Sequence, residues 1–149
     1  MMFSGVFLQM SRSLASARRI REVLTEQPDL ANAAAPVETI PDGRIDFDHV
    51  SFKYNAKAEK NALSDITLHI PAGATVGIIG GTGAAKTTLV QLIPRLYDAT
   101  EGTVKVGGHD VRDYDLAALR DAVGIVLQKN LLFSGSIRDN LKWGSPDAT

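Results

Sequence analysis

The chain has no cysteine, which excludes a disulfide framework, a thiolate nucleophile and any zinc site built on sulfur, and fits a reducing compartment. Nor does it hold any run approaching the ~20 apolar residues that cross a bilayer as a helix. Charge of neither sign is in excess: 16 basic residues face 17 acidic ones, for a net charge of −1. Nothing in that balance argues for nucleic acid as a partner. The three histidines, His49, His69 and His109, are scattered without metal-ligand spacing and read as surface or strand positions. What is present is 149 residues with 44% apolar content, enough for one domain with a real core and too much for intrinsic disorder.

From Phe3 to Gln27 there is no proline and, after Gly5, no glycine, while Val6, Met10, Leu14, Ala17, Val23 and Leu24 recur near helical spacing. This predicts one long helix, stopped by Pro28 and lacking a cap at its start, as if cut into rather than begun here. The apolar opening and Ala15-Ser16-Ala17 resemble a secretion signal, but no basic residue precedes them and Arg12, Arg18, Arg19 and Arg21 follow. That is the reverse of signal-peptide charge order, so secretion is not expected. The arginines suit either a solvated helix face or the cytoplasmic end of a membrane helix.

Pro28 to Gly43, with Ala33-Ala34-Ala35-Pro36 and Pro41-Asp42-Gly43, reads as a linker. Alternation then begins: Ile45, Phe47, Val50 and Phe52, and again Ile66, Leu68 and Ile70, predict two half-buried strands around an exposed loop at Asn55 to Asn61. Thr75 to Ile79 is a continuous apolar run that predicts a strand buried on both faces. Lys86 to Tyr97 predicts an amphipathic helix with Pro94 kinking or ending it, and Val104 and Val106 a further strand. Leu116 to Ala122 predicts a short helix, and Val123 to Leu127 a second buried strand ending at Gln128.

The strongest chemical signal is Gly80-Gly81-Thr82-Gly83-Ala84-Ala85-Lys86-Thr87, between a predicted strand and a predicted helix. It matches the phosphate-loop pattern G-x-x-x-x-G-K-[ST] at every fixed position except Ala85. Small residues let successive backbone N–H groups turn onto phosphate oxygens, with the start of a helix adding partial positive charge. Lys86 is then expected to reach the β- and γ-phosphates, Thr87 to ligate Mg²⁺ and Thr88 to donate to a further phosphate oxygen. Alanine at position 85 strains the backbone if the site needs positive φ, and is harmless if the residue is already helical. The loop sets a ligand class rather than a function. A hydrolase also needs a carboxylate at the end of an apolar strand to hold Mg²⁺, and none is found downstream.

The wider order of motifs is more specific. Val50-Ser51-Phe52-Lys53-Tyr54, then Ala62 through Ile70-Pro71-Ala72-Gly73, the phosphate loop, Leu92-Ile93-Pro94-Arg95-Leu96-Tyr97-Asp98, Glu101-Gly102 to Gly107-Gly108, and Val126-Leu127-Gln128 with Leu132-Phe133-Ser134-Gly135-Ser136-Ile137 follow in series. Over about residues 44 to 144 this resembles the first part of the nucleotide-binding domain of an exporter-type ABC transporter. The resemblance implies an α/β fold: a P-loop NTPase core with an antiparallel β subdomain, preceded by a long helix. It implies residues 1–27 as the cytoplasmic end of a membrane-domain helix, 28–43 as a linker and 44–149 as the N-terminal part of the nucleotide-binding domain.

By the same resemblance, ATP and Mg²⁺ are the cofactors. Tyr54 is the A-loop aromatic stacking on adenine, Gly80, Gly81, Thr82, Gly83, Ala84, Ala85, Lys86, Thr87 and Thr88 hold the phosphates, and Gln128 is the Q-loop glutamine at Mg²⁺ or the attacking water. Lys86 and Gln128 are thus the catalytic candidates, and Thr87 and Gln128 the metal ligands. The implied partners are a second nucleotide-binding domain, identical or different, and the coupling helices of the membrane domain facing Phe133, at the cytoplasmic face of the cell membrane. The family's signature loop and Walker B segment are not found after Gly144, so the 149 residues alone are expected not to turn over ATP. A stand-alone P-loop kinase or NTPase and a non-catalytic nucleotide-sensing subunit are the rival readings.

Overall fold

A computed structural model describes residues 2–129, 131–145 and 147, with the side chains of 2–8 and 11 outside the description. The two alternating segments form β1 (Ile45–Phe52) and β2 (Leu63–Ile70). They pair antiparallel, with Ile45 opposite Ile70 and Phe47 opposite Leu68. The loop that joins them is exposed, as its polar composition predicts. β3 (Glu101–Val106) pairs antiparallel with the other edge of β1, and the short β4 (His109–Asp110) closes a hairpin on β3 through Gly107 and Gly108, giving one sheet in the order β2-β1-β3-β4.

One face of this sheet is apolar because Phe47, Val104 and Val106 alternate with polar neighbours. Against it pack α2 (Lys86–Gln91) and α3 (Leu116–Asp121), which contribute Leu89 and Leu119, while Leu92 follows α2. The core is Phe47, Val50, Phe52, Leu63, Leu89, Leu92, Val104, Val106, Val111, Tyr114 and Leu119. Each large member contributes roughly 1.5–3 kcal/mol by leaving water. Tyr114 is fully buried, and its hydroxyl donates to the Val106 carbonyl at 2.8 Å, so its polar end is satisfied. Asp115 caps α3, accepting from the amides of Ala117 and Ala118.

β1 bulges at its middle. His49 and Asp65 both lie at φ 50°, and the register shifts on either side of Val50. Gly102, at φ 76°, faces the Asp48 and His49 carbonyls, where a Cβ would collide with both. Glycine is therefore required by space as well as by conformation. The bulge is tied by the His49 Nδ1–Asp65 Oδ1 contact of 2.7 Å and by the Asp65 amide donating to Ser51 Oγ at 3.1 Å.

α1 (Met2–Thr25) is the expected long helix, ending before Pro28. Its described side chains from Gln9 to Thr25 are exposed, including Met10, Leu14, Val23 and Leu24, whereas that of Val6 lies outside the description. Among the described residues no helix is long and apolar enough to cross a membrane. Residues 28–43, expected as a linker, have no strand or helix of their own but are not loose: Val37 bridges to Tyr114 in parallel.

Two expectations need correction. Thr75–Ile79 and Val123–Leu127 are not strands buried on both faces: neither pairs with a neighbour among the described residues, and Ile79 is 99% and Val126 89% exposed. An apolar run becomes a central strand only with partners at both edges and cover on both faces, and the sheet here ends at β2 and β4. The helix that starts at Lys86 stops at Gln91 and continues as turns, the early end that Pro94 predicts, since proline lacks the N–H that the next helical bond requires. Beyond these, α4 (Ile137–Leu141) carries a capping box between Ser136 and Asp139 and runs into a 3₁₀ turn at Lys142–Gly144.

The hydrogen bond to Asp65, reinforced by its charge, raises His49 above the ordinary imidazole value of 6.5. A folded-state value above the unfolded one means that the contribution is complete below about 6.5 and is lost as pH rises through the raised value. The urea midpoint should therefore decline as pH rises above about 6.5 and through the raised value, and that decline should shrink in His49→Gln. An identical pH slope in the variant would show that the pair contributes nothing.

Candidate functional site

The loop 80–87 follows the run 75–79, which has no regular structure, and turns into α2. Two of its residues take the left-handed conformation, Gly83 at φ 83° and Ala85 at φ 53°, ψ 24°. The pattern's missing glycine therefore falls where glycine matters. Alanine carries a Cβ in a region that costs roughly 1–2 kcal/mol for an L-residue. Of the two possibilities open for Ala85, the strained one is realised.

Ala85 is also the N-cap of α2, and no side chain caps this helix. The first-turn amides of Lys86, Thr87 and Thr88 have no acceptor within the helix, as at every helix start. Downstream, the Leu89 amide is already engaged by the Ala85 carbonyl at 3.0 Å, and in the loop the Ala84 amide reaches the Gly81 carbonyl at 3.3 Å. The free donors are thus gathered along one short stretch. Lys86 bends back over them, its Nζ donating to the carbonyls of Gly80 at 2.7 Å and Gly81 at 2.8 Å. A Cβ at Gly80 would press on that of Ala84 at 3.2 Å and touch Nζ at an ordinary 3.9 Å, so glycine here mainly spares the packing against Ala84.

Beside the loop lies a cleft of about 650 Å³ lined by Tyr54, Asn61, Ala62, residues 82–88 and Gln128. It brings together residues from three distant parts of the sequence. Of the expected site residues, Tyr54, Thr82, Gly83, Ala84, Ala85, Lys86, Thr87, Thr88 and Gln128 all line it. Gly80 and Gly81 do not; they act behind it, as acceptors for Lys86. No carboxylate is among the lining residues, so Lys86 sets the sign of the cleft and an anion is the ligand it favours.

Tyr54 is 58% exposed and held from three directions. Its ring meets Phe52 edge-on at 4.8 Å between centroids and Tyr97 at 5.3 Å, and its hydroxyl lies 2.8 Å from Thr88 Oγ1. Thr88 is buried, so its hydroxyl is engaged with Tyr54 rather than aimed freely at the loop. The supporting rings Phe52 and Tyr97, and the lining residues Asn61 and Ala62, are not singled out by the sequence as site residues. Only the aromatic character of positions 52 and 97 hints at such a cluster.

The oxygens available for a divalent cation in the cleft are the Thr87 hydroxyl and the Gln128 amide. Magnesium takes oxygen ligands and keeps several waters, usually with substrate phosphates in its shell. These two residues fit an ion that arrives on a phosphate chain, not a preformed protein cage; among the described residues no cluster of His, Asp or Glu could hold a metal. Further along, Phe133 stacks on Trp143 at 4.2 Å and 8°, and Asn140 holds the Phe133 backbone through its amide and its carbonyl. Leu131, Leu132, Ile137 and Leu141 around this stack are exposed.

The geometry can be set beside known proteins. Residues 63–148 match the family model described as ABC transporter. The chain is 42% identical over 144 residues to a multidrug efflux ATP-binding/permease protein of Mycobacterium tuberculosis, covering 97% of this chain and 12% of that protein. It is 40% identical over 145 residues to an uncharacterized ABC transporter ATP-binding protein of Bacillus subtilis, covering 97% of this chain and 24% of that one. Among solved structures, a bacterial Atm1-family ABC exporter with ATP bound superposes with a TM-score of 0.84 at 28% identity, over 97% of this chain and 25% of the other. The chain thus spans a quarter or less of the length of these relatives. With its phosphate loop, its antiparallel sheet and these matches, the chain belongs to the ABC transporter family.

Proposed function

We propose that this chain is the ATP-binding portion of an exporter that couples ATP binding and hydrolysis to movement of a substrate across a membrane. The observation that carries this reading is the cleft in which Tyr54, the loop 82–88 and Gln128 converge around one lysine and no carboxylate. The names of the relatives, a multidrug efflux permease and an ATP-bound exporter, point the same way.

In this reading the main-chain amides of 82–87 receive the phosphate oxygens, and Lys86 exchanges its two carbonyl acceptors for the β- and γ-phosphates. Gly80, packed beside Ala84 and the end of the Lys86 side chain, leaves room for that movement. Tyr54 presents its ring to the adenine while Phe52 and Tyr97 hold it upright. Thr87 and Gln128 would hold Mg²⁺, which when bound would neutralise charge on the phosphates, or Gln128 would instead orient the attacking water. Thr88 donates to a phosphate only after parting from the Tyr54 hydroxyl.

By organisation, residues 1–27 are the cytoplasmic end of a membrane-domain helix, 28–43 the linker and 44–149 the N-terminal part of the nucleotide-binding domain. Its place is then the cytoplasmic face of the cell membrane. A second nucleotide-binding domain and the membrane domain's coupling helices are the partners, the latter at the exposed apolar surface around Phe133 and Trp143.

Lys86→Ala should weaken binding of a fluorescent ATP analogue with Mg²⁺ by about 10-fold or more, the equivalent of the 1.5–3 kcal/mol carried by charge-assisted hydrogen bonds. Affinity unchanged within about twofold would remove the lysine from the site. Ala85→Gly should raise stability to urea by about 1 kcal/mol, because it relieves a left-handed alanine. A loss of stability, as an ordinary helix interior shows for this change, would contradict the strain assigned to position 85.

A further inference from the structure

Away from the cleft, one buried cation gathers several segments. Arg95 follows Pro94, where α2 has ended, and is a non-glycine residue at φ 51° with only 6% of its surface exposed. Its guanidinium forks onto Asp98, Nε to Oδ1 at 2.7 Å and Nη2 to Oδ2 at 3.1 Å. Nη1 reaches the Ala31 carbonyl at 3.2 Å and the Arg112 carbonyl at 3.4 Å. From α3, Arg120 donates to the Pro94 carbonyl at 3.3 Å and the Arg95 carbonyl at 2.9 Å.

The linker meets this knot and continues along α3. The Asn32 amide oxygen accepts from the Leu116 amide at 3.0 Å, and its nitrogen donates to the cap residue Asp115. The Val37 amide donates to the Asp113 carbonyl at 2.8 Å, and its carbonyl accepts from Asp115 at 2.9 Å. Both walls of the cleft lead to the same place: α2 runs from Lys86 and Thr87 toward Arg95, and the segment after α3 runs to Gln128.

We propose that Arg95 is a positioning residue that couples occupancy of the cleft to the linker at residues 29–37, and through it to the end of α1. The inference rests on the reading of the cleft as a nucleotide site. Binding there draws Lys86 off the Gly80 and Gly81 carbonyls and re-seats the start of α2. α2 is a short helix keyed into the core by Leu89, with the buried Leu92 just after it, so it moves as a unit. The guanidinium just past its far end is buried with all three nitrogens engaged, and it cannot follow without displacing the Ala31 carbonyl or releasing it. A left-handed, non-glycine backbone held by its surroundings is the kind of position that keeps two discrete arrangements. Only arginine supplies a planar fork for Asp98 and a further N–H for the linker at once, and lysine cannot replace it.

The test is hydrogen exchange of residues 29–37 in the full 149-residue chain, with and without saturating ATP analogue and Mg²⁺, alongside the analogue's affinity measured by fluorescence. In the unaltered chain the nucleotide is expected to change exchange of these amides by about threefold or more. In Arg95→Lys the affinity should stay within about threefold while that change disappears. Asp98→Asn loosens the fork without removing Arg95 and should give a partial loss; it decides the matter if Arg95→Lys does not fold. Persistence of the full change in either folded variant overturns the coupling role, as does nucleotide binding with no linker response in the unaltered chain. Failure of the unaltered chain to bind the analogue overturns the nucleotide reading itself, and this inference with it.

Discussion

Helix α2 starts on an alanine, with no side chain to satisfy its first amides, and the positive group beside them is occupied only by the loop's own carbonyls. Free backbone donors and an ammonium group converging on one small hollow favour an anion of several oxygens. The rest of the structure serves that convergence. The antiparallel sheet holds Tyr54 at one side of the cleft through the end of β1, and the core residues Leu89 and Leu92 fix α2 and its exit against the sheet. The segment after α3 brings Gln128 to the opposite side.

Among the described residues, non-glycine residues with positive φ occur in two places. His49 and Asp65 share the bulge at the centre of the β1–β2 ribbon, whereas Ala85 and Arg95 flank α2 at its start and just past its end. The first pair re-aims a strand and is tied by its own hydrogen bonds. The second pair brackets the helix that carries Lys86, so the strain lies at both ends of the helix that begins at the cleft. Ala85 is the less compensated of the two, because Arg95 is anchored by Asp98 and two carbonyls while Ala85 has only its backbone.

Much of this is legible in the residues themselves. Period-two alternation marks β1 and β2, an uninterrupted helical stretch before Pro28 marks α1, and the spacing of glycines ahead of Lys86-Thr87 marks the loop. The continuous apolar runs at 75–79 and 123–127 mislead, because composition reports that a segment suits burial and not whether a partner is there to bury it. The conformation of Ala85 is also hidden from the sequence, since a residue at the boundary of a helix can take either hand. Arg95 is invisible for another reason: its partners at Ala31 and Arg112 are carbonyls, which every residue carries, and only the fold brings them within reach.

A crystal structure of this chain with Mg²⁺ and a non-hydrolysable ATP analogue is the most direct measurement. The expected result is the β- and γ-phosphates seated on the amides of residues 82–87, with Lys86 Nζ withdrawn from Gly80 and Gly81 and bonded to phosphate oxygens. Phosphates bound elsewhere, or a loop in which Lys86 keeps both carbonyls at saturating analogue, would contradict it.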